Sequence, residues 1–369
     1  MQSPNILYSP KLDHLRFFAA FVVLMFHSNL WYIGRGEQRD SLHIPIFDQG
    51  YTGVALFMVI SGFILTLITY GKEMNARRFY LNRILRIYPL FAFVVTFGYF
   101  STPDPRETSV GIDYLMALLP ISNLYRLKYG AYGGVLFSVT IELQFYLLFP
   151  IIAMMVRDRG VRFLLALVGF MLLLRAIVFM LNGSVHHLAY FSIFGGLDLF
   201  LIGCLAAVFY ARGPERKISV WWSVGVLLLI NLVIWLVHRP GGLFHVDYSG
   251  GGRVASNSPL WVIWPALQGV MFSGLLLAYL ASGTKLPFSR STAYLGRISY
   301  SLYAWHIMIC MLVATTIRPL LDSPYLTGIA IILPLSIGLA AVSYALIESP
   351  FLRMRVSYAR AAAESTLVS

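Results

Sequence analysis

The chain has 369 residues, of which 58% are hydrophobic and only 12% charged, with a mean hydropathy of +0.73. A soluble domain carries about 25% charged residues, so this composition excludes a soluble globule and points to an all-α polytopic membrane protein. The net charge of +12 would suit a nucleic-acid partner, but the placement of the basic residues gives it another origin.

Ten apolar segments of spanning length can be marked, near residues 12–32, 50–70, 84–101, 135–156, 162–181, 189–210, 218–237, 260–282, 298–317 and 325–348. Each approaches the roughly 20 residues that cross a hydrocarbon core as a helix. An outer-membrane barrel would alternate apolar and polar residues, and stretches such as 163–174 do not. Numbering the flanks alternately puts eighteen of the 28 basic residues on the N-terminal side and eight on the other, with Arg16 and Arg175 inside spans. That bias predicts both termini in the cytoplasm. The basicity is then mostly topology, and no nucleic-acid partner is expected.

One domain, 1–369, is expected, with no attached soluble domain and no cleavable signal peptide. Long external connections fall at 33–49, 102–134 and 238–259, the last rich in glycine. Cys204 and Cys310 both sit in apolar stretches, which argues against a disulfide framework. No internal repeat is visible, unlike the inverted-repeat design of many secondary transporters.

The first span carries Arg16 and His27 with ten residues between them. Eleven helical steps bring them within roughly 20° of one face and roughly 16 Å apart along the axis. Ionisable groups in lipid are costly and mark functional sites by default. Low dielectric favours the neutral imidazole of His27, which can accept a proton as general base; the alternative is a packing histidine bonded to a neighbouring helix. In the fourth span, Glu142 should lie about 10 Å below the outer surface, at a depth similar to His27. A carboxylate there could fix the imidazole tautomer and stabilise the imidazolium; the alternative is a buried charge paired with Arg175 or another basic group.

Arg83 and Arg86 are three apart and so share a helical face. The arginine fork bonds phosphate bidentately. With Arg16, and with Lys72, Arg77 and Arg78 nearby, they could hold a cytosolic polyanion, although basic residues at an inner membrane edge are also what the positive-inside bias predicts. Asp13 is placed to pair with an arginine at that edge. Asp198 and Arg175 can neutralise each other in mid-membrane, and His306 is one further buried ionisable group. Gly53, Ser61 and Gly62 suit close helix approach. His238, His245 and Asp247 lack a diagnostic ligand spacing, and no metal is expected.

In order along the chain, these motifs resemble the acyltransferase 3 family of membrane-bound bacterial O-acyltransferases. The resemblance begins at 12–16 and His27, with the Arg-ten-His spacing. It continues through Gly53 to Phe63, then Phe79 to Pro89 with Arg83 and Arg86, then Phe137 to Tyr146 with Glu142. It ends with Leu295 to His306 and Ser343 to Pro350. The chain departs from the family at Ala55, often Asp, at Phe137, often Trp, and at Leu143, often acidic.

The resemblance implies a cytosolic acyl-CoA donor, most often acetyl-CoA, whose phosphates would meet Arg16, Arg83 and Arg86. It implies a periplasmic glycan acceptor, such as lipopolysaccharide O-antigen or exopolysaccharide, and a bacterial inner-membrane location. His27, oriented by Glu142, would serve as general base or as an acyl relay. Lacking an attached extracellular domain, the chain would complete the transfer itself or pass the group to a separate periplasmic partner. The alternatives are a transporter or exporter using the same polar track, or an acyltransferase of a small secreted molecule.

Overall fold

The computed structural model describes residues 9–33, 43–101, 110–125, 134–213, 217–239, 242–244, 257–283, 288–316 and 323–361. The long helices, in chain order, are α1 (Pro10–Ile33), α2 (Thr52–Thr69), α3 (Ala76–Ser101), α4 (Phe137–Arg159), α5 (Val161–Asn182), α6 (Ile193–Arg212), α7 (Val220–His238) and α8 (Trp264–Ala281). They are followed by α9 (Ser289–Arg297), α10 (Ser299–Thr316) and the composite α11 (Pro324–Arg353). Each apolar segment of the sequence thus has its helix. Among the described residues, α2 to α8 and α11 are long and apolar enough to cross a membrane, and the pair α9–α10, bent by 72°, makes a ninth if counted as one span. α1 has 24 residues, a rise of about 36 Å. The protein is an all-α polytopic membrane protein.

Local chemistry moves several boundaries. α3 begins eight residues before the apolar run near 84. Its first turn is capped by Asn75, whose Oδ1 accepts from the Arg78 amide at 3.0 Å. Pro89 lies inside this helix, a tolerated position where neighbouring groups re-satisfy the backbone. α6 starts at Ile193 because Ser192 caps it, accepting from the Phe194 amide at 3.2 Å. α11 contains two π-helical turns, Gly328–Ile332 and Tyr344–Glu348, of a kind frequent at functional sites. The second ends on Glu348.

α2 and α6 form the centre, and α5, α7 and α11 are the least buried spans. A Cβ on Gly62 would overlap the Phe200 carbonyl, and one on Gly203 the Val59 carbonyl. Glycine at both crossings lets the backbones touch, which is how helices associate where lipid removes the hydrophobic drive between them. α1 runs antiparallel to α2, with Gly50 against Val22 and Phe26 and Gly53 against Ala19 and Val23. At one end of the bundle a two-stranded ribbon pairs β1 (Lys72–Met74) with β2 (Ala359–Ala361). Lys11 Nζ caps the last carbonyls of α8, at 3.1 Å from Tyr279 O and 3.2 Å from Leu280 O.

Arg175 on α5 and Asp198 on α6 form the mutual pair expected of them. Both are fully buried, and both terminal guanidinium nitrogens donate to the carboxylate. The remaining donors reach Val262 O and Phe194 O, each at 2.8 Å. Removing one partner of such a pair leaves an uncompensated buried charge and costs about 3–5 kcal/mol. Asp198→Ala should therefore lower the melting midpoint in detergent sharply. The double variant Arg175→Met/Asp198→Leu should lose much less. Equal losses in the two would show that the pair does not act as a unit.

Candidate active site

Five helices converge on one open cavity. α1 contributes Arg16, α2 Phe57 and Ser61, α3 Arg83 and Arg86, α4 Ser138, Glu142 and Tyr146, and α10 Tyr300 and Tyr303. The i,i+3 spacing puts both α3 arginines on the face that lines it. All three arginines singled out in the sequence thus meet at one place.

Their partners differ. Arg16 Nη1 lies 3.2 Å from Asp13 Oδ1, one turn earlier, which supplies the edge pairing anticipated for Asp13. Arg86 Nη1 lies 3.3 Å from Glu348 Oε2, and Ser301 Oγ donates to the other oxygen at 2.5 Å. The Arg83 guanidinium lies over the Phe79 and Tyr146 rings, 5.7 and 5.4 Å from their centroids. Its buried Nε has no hydrogen-bond partner among the described residues. A guanidinium held by ring faces keeps its donor edge available for an anion.

Glu142 stands in the cavity wall, and both Ser61 Oγ and Tyr146 OH donate to its Oε1. It does not meet His27, as equal depth had suggested. Depth fixes height along the membrane normal and leaves azimuth open. α4 packs on α2, α3, α5 and α6, whereas α1 packs chiefly on α2, α9, α10 and α11. Nor does Glu142 meet Arg175, which belongs to Asp198.

His27 pairs instead with His306 on α10. His306 Nε2 lies 3.2 Å from His27 Nδ1, with ring centroids 4.9 Å apart. Two backbone carbonyls set the protons, because a carbonyl can only accept. Tyr303 O lies 2.6 Å from His306 Nδ1, so that nitrogen carries hydrogen and Nε2 is the lone pair. Val23 O lies 2.9 Å from His27 Nδ1, so this nitrogen is also protonated and is shared with His306 Nε2. The assignment, made from acceptor chemistry, leaves His27 Nε2 as a lone pair. That is the atom a general base needs.

The imidazole pair and the cavity adjoin through Tyr303. This side chain lines the cavity, donates to Val135 O at 3.0 Å and lies 2.7 Å from Ser138 Oγ, while its own carbonyl holds His306. The sequence marked His306 as ionisable without assigning it a partner; a facing argument for α10 against α1 would have been needed to find the pair. Away from this site, His238 Nε2 lies 2.9 Å from Tyr51 OH. His245 and Asp247 lie outside the described residues.

The site is thus an arginine-lined cavity beside an imidazole pair within a membrane helix bundle. The chain belongs to the acyltransferase 3 family: the family model, described as an acyltransferase domain, matches residues 9–348. It is similar to the O-acetyltransferase OatA of Staphylococcus aureus (strain NCTC 8325 / PS 47), at 26% identity over 95% of this chain and 58% of that protein. It is also similar to the putative peptidoglycan O-acetyltransferase YrhL of Bacillus subtilis (strain 168), at 27% identity over 93% of this chain and 55% of that protein. The chain therefore spans little more than half the length of these relatives. No solved structure matches it.

The tautomer assignment can be measured directly. In protein labelled with ¹⁵N-histidine, His27 should give a protonated Nδ1 and an unprotonated Nε2 near neutral pH, assigned by loss of its signals in His27→Gln. The opposite pattern would overturn it.

Proposed function

We propose that this protein is an inner-membrane O-acetyltransferase that moves an acetyl group from cytosolic acetyl-CoA to a hydroxyl of an exported or lipid-linked glycan. The observation that carries this reading is the junction of three arginines in one cavity with an imidazole pair beyond the cavity's Tyr303. Coenzyme A presents a pyrophosphate and a ribose phosphate to the arginines, and its pantetheine arm is long and thin. Arg16 and His27 are separated by roughly 16 Å along α1, a distance such an arm suits. The positive-inside bias supports a cytoplasmic arginine end and cytoplasmic termini.

In this reading the acceptor oxygen forms a bond to the thioester carbonyl carbon, and its proton passes to His27 Nε2. The carbon–sulfur bond then breaks, and the proton goes to the departing thiolate. His306 holds His27 in the required tautomer. Glu142, bonded by Ser61 and Tyr146, shapes the cavity wall near Arg86 and positions the donor. A glycan acceptor is supported by the peptidoglycan named for one relative. Peptidoglycan, lipopolysaccharide O-antigen and exopolysaccharide share the sugar hydroxyl that the reaction requires.

Purified protein in detergent, given acetyl-CoA and a glycan acceptor, should release free coenzyme A. His27→Ala should fold and lose about 10²- to 10⁴-fold of that rate. His306→Ala should lose up to about 10²-fold through misorientation. Undiminished release by His27→Ala would reject the mechanism, and no release by the wild-type protein would favour a transporter.

Arg83→Gln should raise the KM for acetyl-CoA about 10-fold or more with kcat retained, since it removes charge-assisted bonds to the donor. It is a cleaner variant than Arg86→Gln, which also leaves Glu348 unpaired. An unchanged KM would exclude Arg83 from donor binding. Mass spectrometry of the three glycans, from cells with and without the protein, identifies the acceptor and the mass of the acyl group.

A further inference from the structure

Arg355 lies beyond the last spanning helix, in the segment that leads from α11 into β2. This segment folds back along α3. Asn82 clamps it in both directions, with Nδ2 donating to Val356 O at 2.6 Å and Oδ1 accepting from the Val356 amide at 3.0 Å. The Tyr358 ring packs edge-on against Phe79 at 5.5 Å, and Tyr358 O accepts from the Asn75 amide at 2.8 Å. Asn82 precedes Arg83 and Val356 follows Arg355, so the clamp sets the segment carrying Arg355 beside the turn of α3 that carries Arg83.

Arg355 faces Arg86, Arg83 and Arg16 closely enough that burial and their charges together push it down to about 10, still a cation at neutral pH. Its Nε donates to Leu352 O at 3.1 Å, a bond that does not use the two terminal nitrogens. Arg16 and Arg86 each have a carboxylate, Asp13 and Glu348. Among the described residues no carboxylate pairs with Arg83 or Arg355. Four guanidinium groups converging with two unpaired is an arrangement that self-repulsion opposes unless an anion relieves it.

The position of Arg355 separates it from the other three. Arg16, Arg83 and Arg86 are held on spanning helices, and Arg355 sits outside them, at the aqueous rim. A donor whose thioester points inward leaves its nucleotide end at that rim. In coenzyme A the phosphate on the ribose is set apart from the pyrophosphate by the sugar.

We infer that Arg355 is a fourth phosphate-binding residue and that it reads the ribose 3′-phosphate of the coenzyme A donor. This rests on the donor reading proposed above. It adds that the site selects coenzyme A over carriers that have only the pyrophosphate.

The test is calorimetric binding of coenzyme A and of dephospho-coenzyme A to the purified full chain. The wild-type protein should bind coenzyme A about 10-fold or more tightly than the dephospho form, the scale of one charge-assisted phosphate contact. Arg355→Gln should bring the ratio within about twofold by weakening coenzyme A alone, since without Arg355 the added phosphate has lost its charge-assisted partner. Arg355→Lys should keep part of the preference, having charge without the planar fork. Arg353→Gln, an exposed neighbour, should keep all of it, and a melting curve for each variant reports folding.

A wild-type ratio retained in Arg355→Gln overturns the inference. Equal binding of both ligands by the wild-type protein overturns it while leaving the donor reading intact. Absence of coenzyme A binding in the wild-type protein removes both.

Discussion

A charge carried into hydrocarbon must find its counterpart within the protein, because lipid offers none. Much of this bundle is arranged around that requirement. Arg175 and Asp198 answer it completely, with two backbone carbonyls taking the donors that the carboxylate does not. Arg86 and Glu348 answer it across helices far apart in sequence, joining α3 to the π turn of α11. Ser301 on α10 adds a third helix to this junction, and Trp305 Nε1 donates to Ser343 Oγ alongside it at 3.0 Å. Helices in lipid gain little from hydrophobic attraction to one another, so polar junctions and glycine crossings position the walls of the cavity.

The same requirement separates structural from functional charge. Arg175 has its donors satisfied and lines no part of the cavity. Among the described residues, Arg83 has a ring on two sides, an unpartnered buried Nε and no carboxylate. Leaving such a group short of acceptors costs stability, and the cost has a rationale only if an anion visits. The cavity is therefore a place where the fold stops short of balance, which agrees with the donor proposed for it.

The sequence made the fold legible because hydropathy reports directly on lipid burial. All ten apolar segments acquired helices, and the boundary errors arose from polar caps: Asn75 starts α3 inside the basic run, and Ser192 starts α6 after a separate short helix. The Arg175–Asp198 pair was also readable, since two lone charges in adjacent spans have few alternatives. The grouping of Arg16, Arg83 and Arg86 followed from spacing and inner-edge placement. Azimuth was not readable. Depth alone made Glu142 the neighbour of His27, whereas helix packing gave Glu142 to Ser61 and Tyr146 and gave His27 to His306. Arg355 was hidden for a related reason, because only the fold-back of the chain onto Asn82 brings its segment beside α3.

The replacement of a carboxylate by His306 changes what the pair can do. A carboxylate both orients a catalytic imidazole and stabilises the imidazolium electrostatically. His306 orients His27 through a lone pair that its own bond to Tyr303 O fixes in place, and it carries no formal negative charge. In the proposed role of His27 as base, the imidazolium would be stabilised only by the His306 Nε2 lone pair and the carbonyl dipoles of Val23 and Tyr303. Such a base is less stabilised in its charged form than one backed by a carboxylate, and it returns its proton more readily. In the reaction proposed, the thiolate can depart without first being protonated, so the demand on the pair lies in taking the acceptor's proton, and a base backed by a second imidazole meets it without a buried carboxylate.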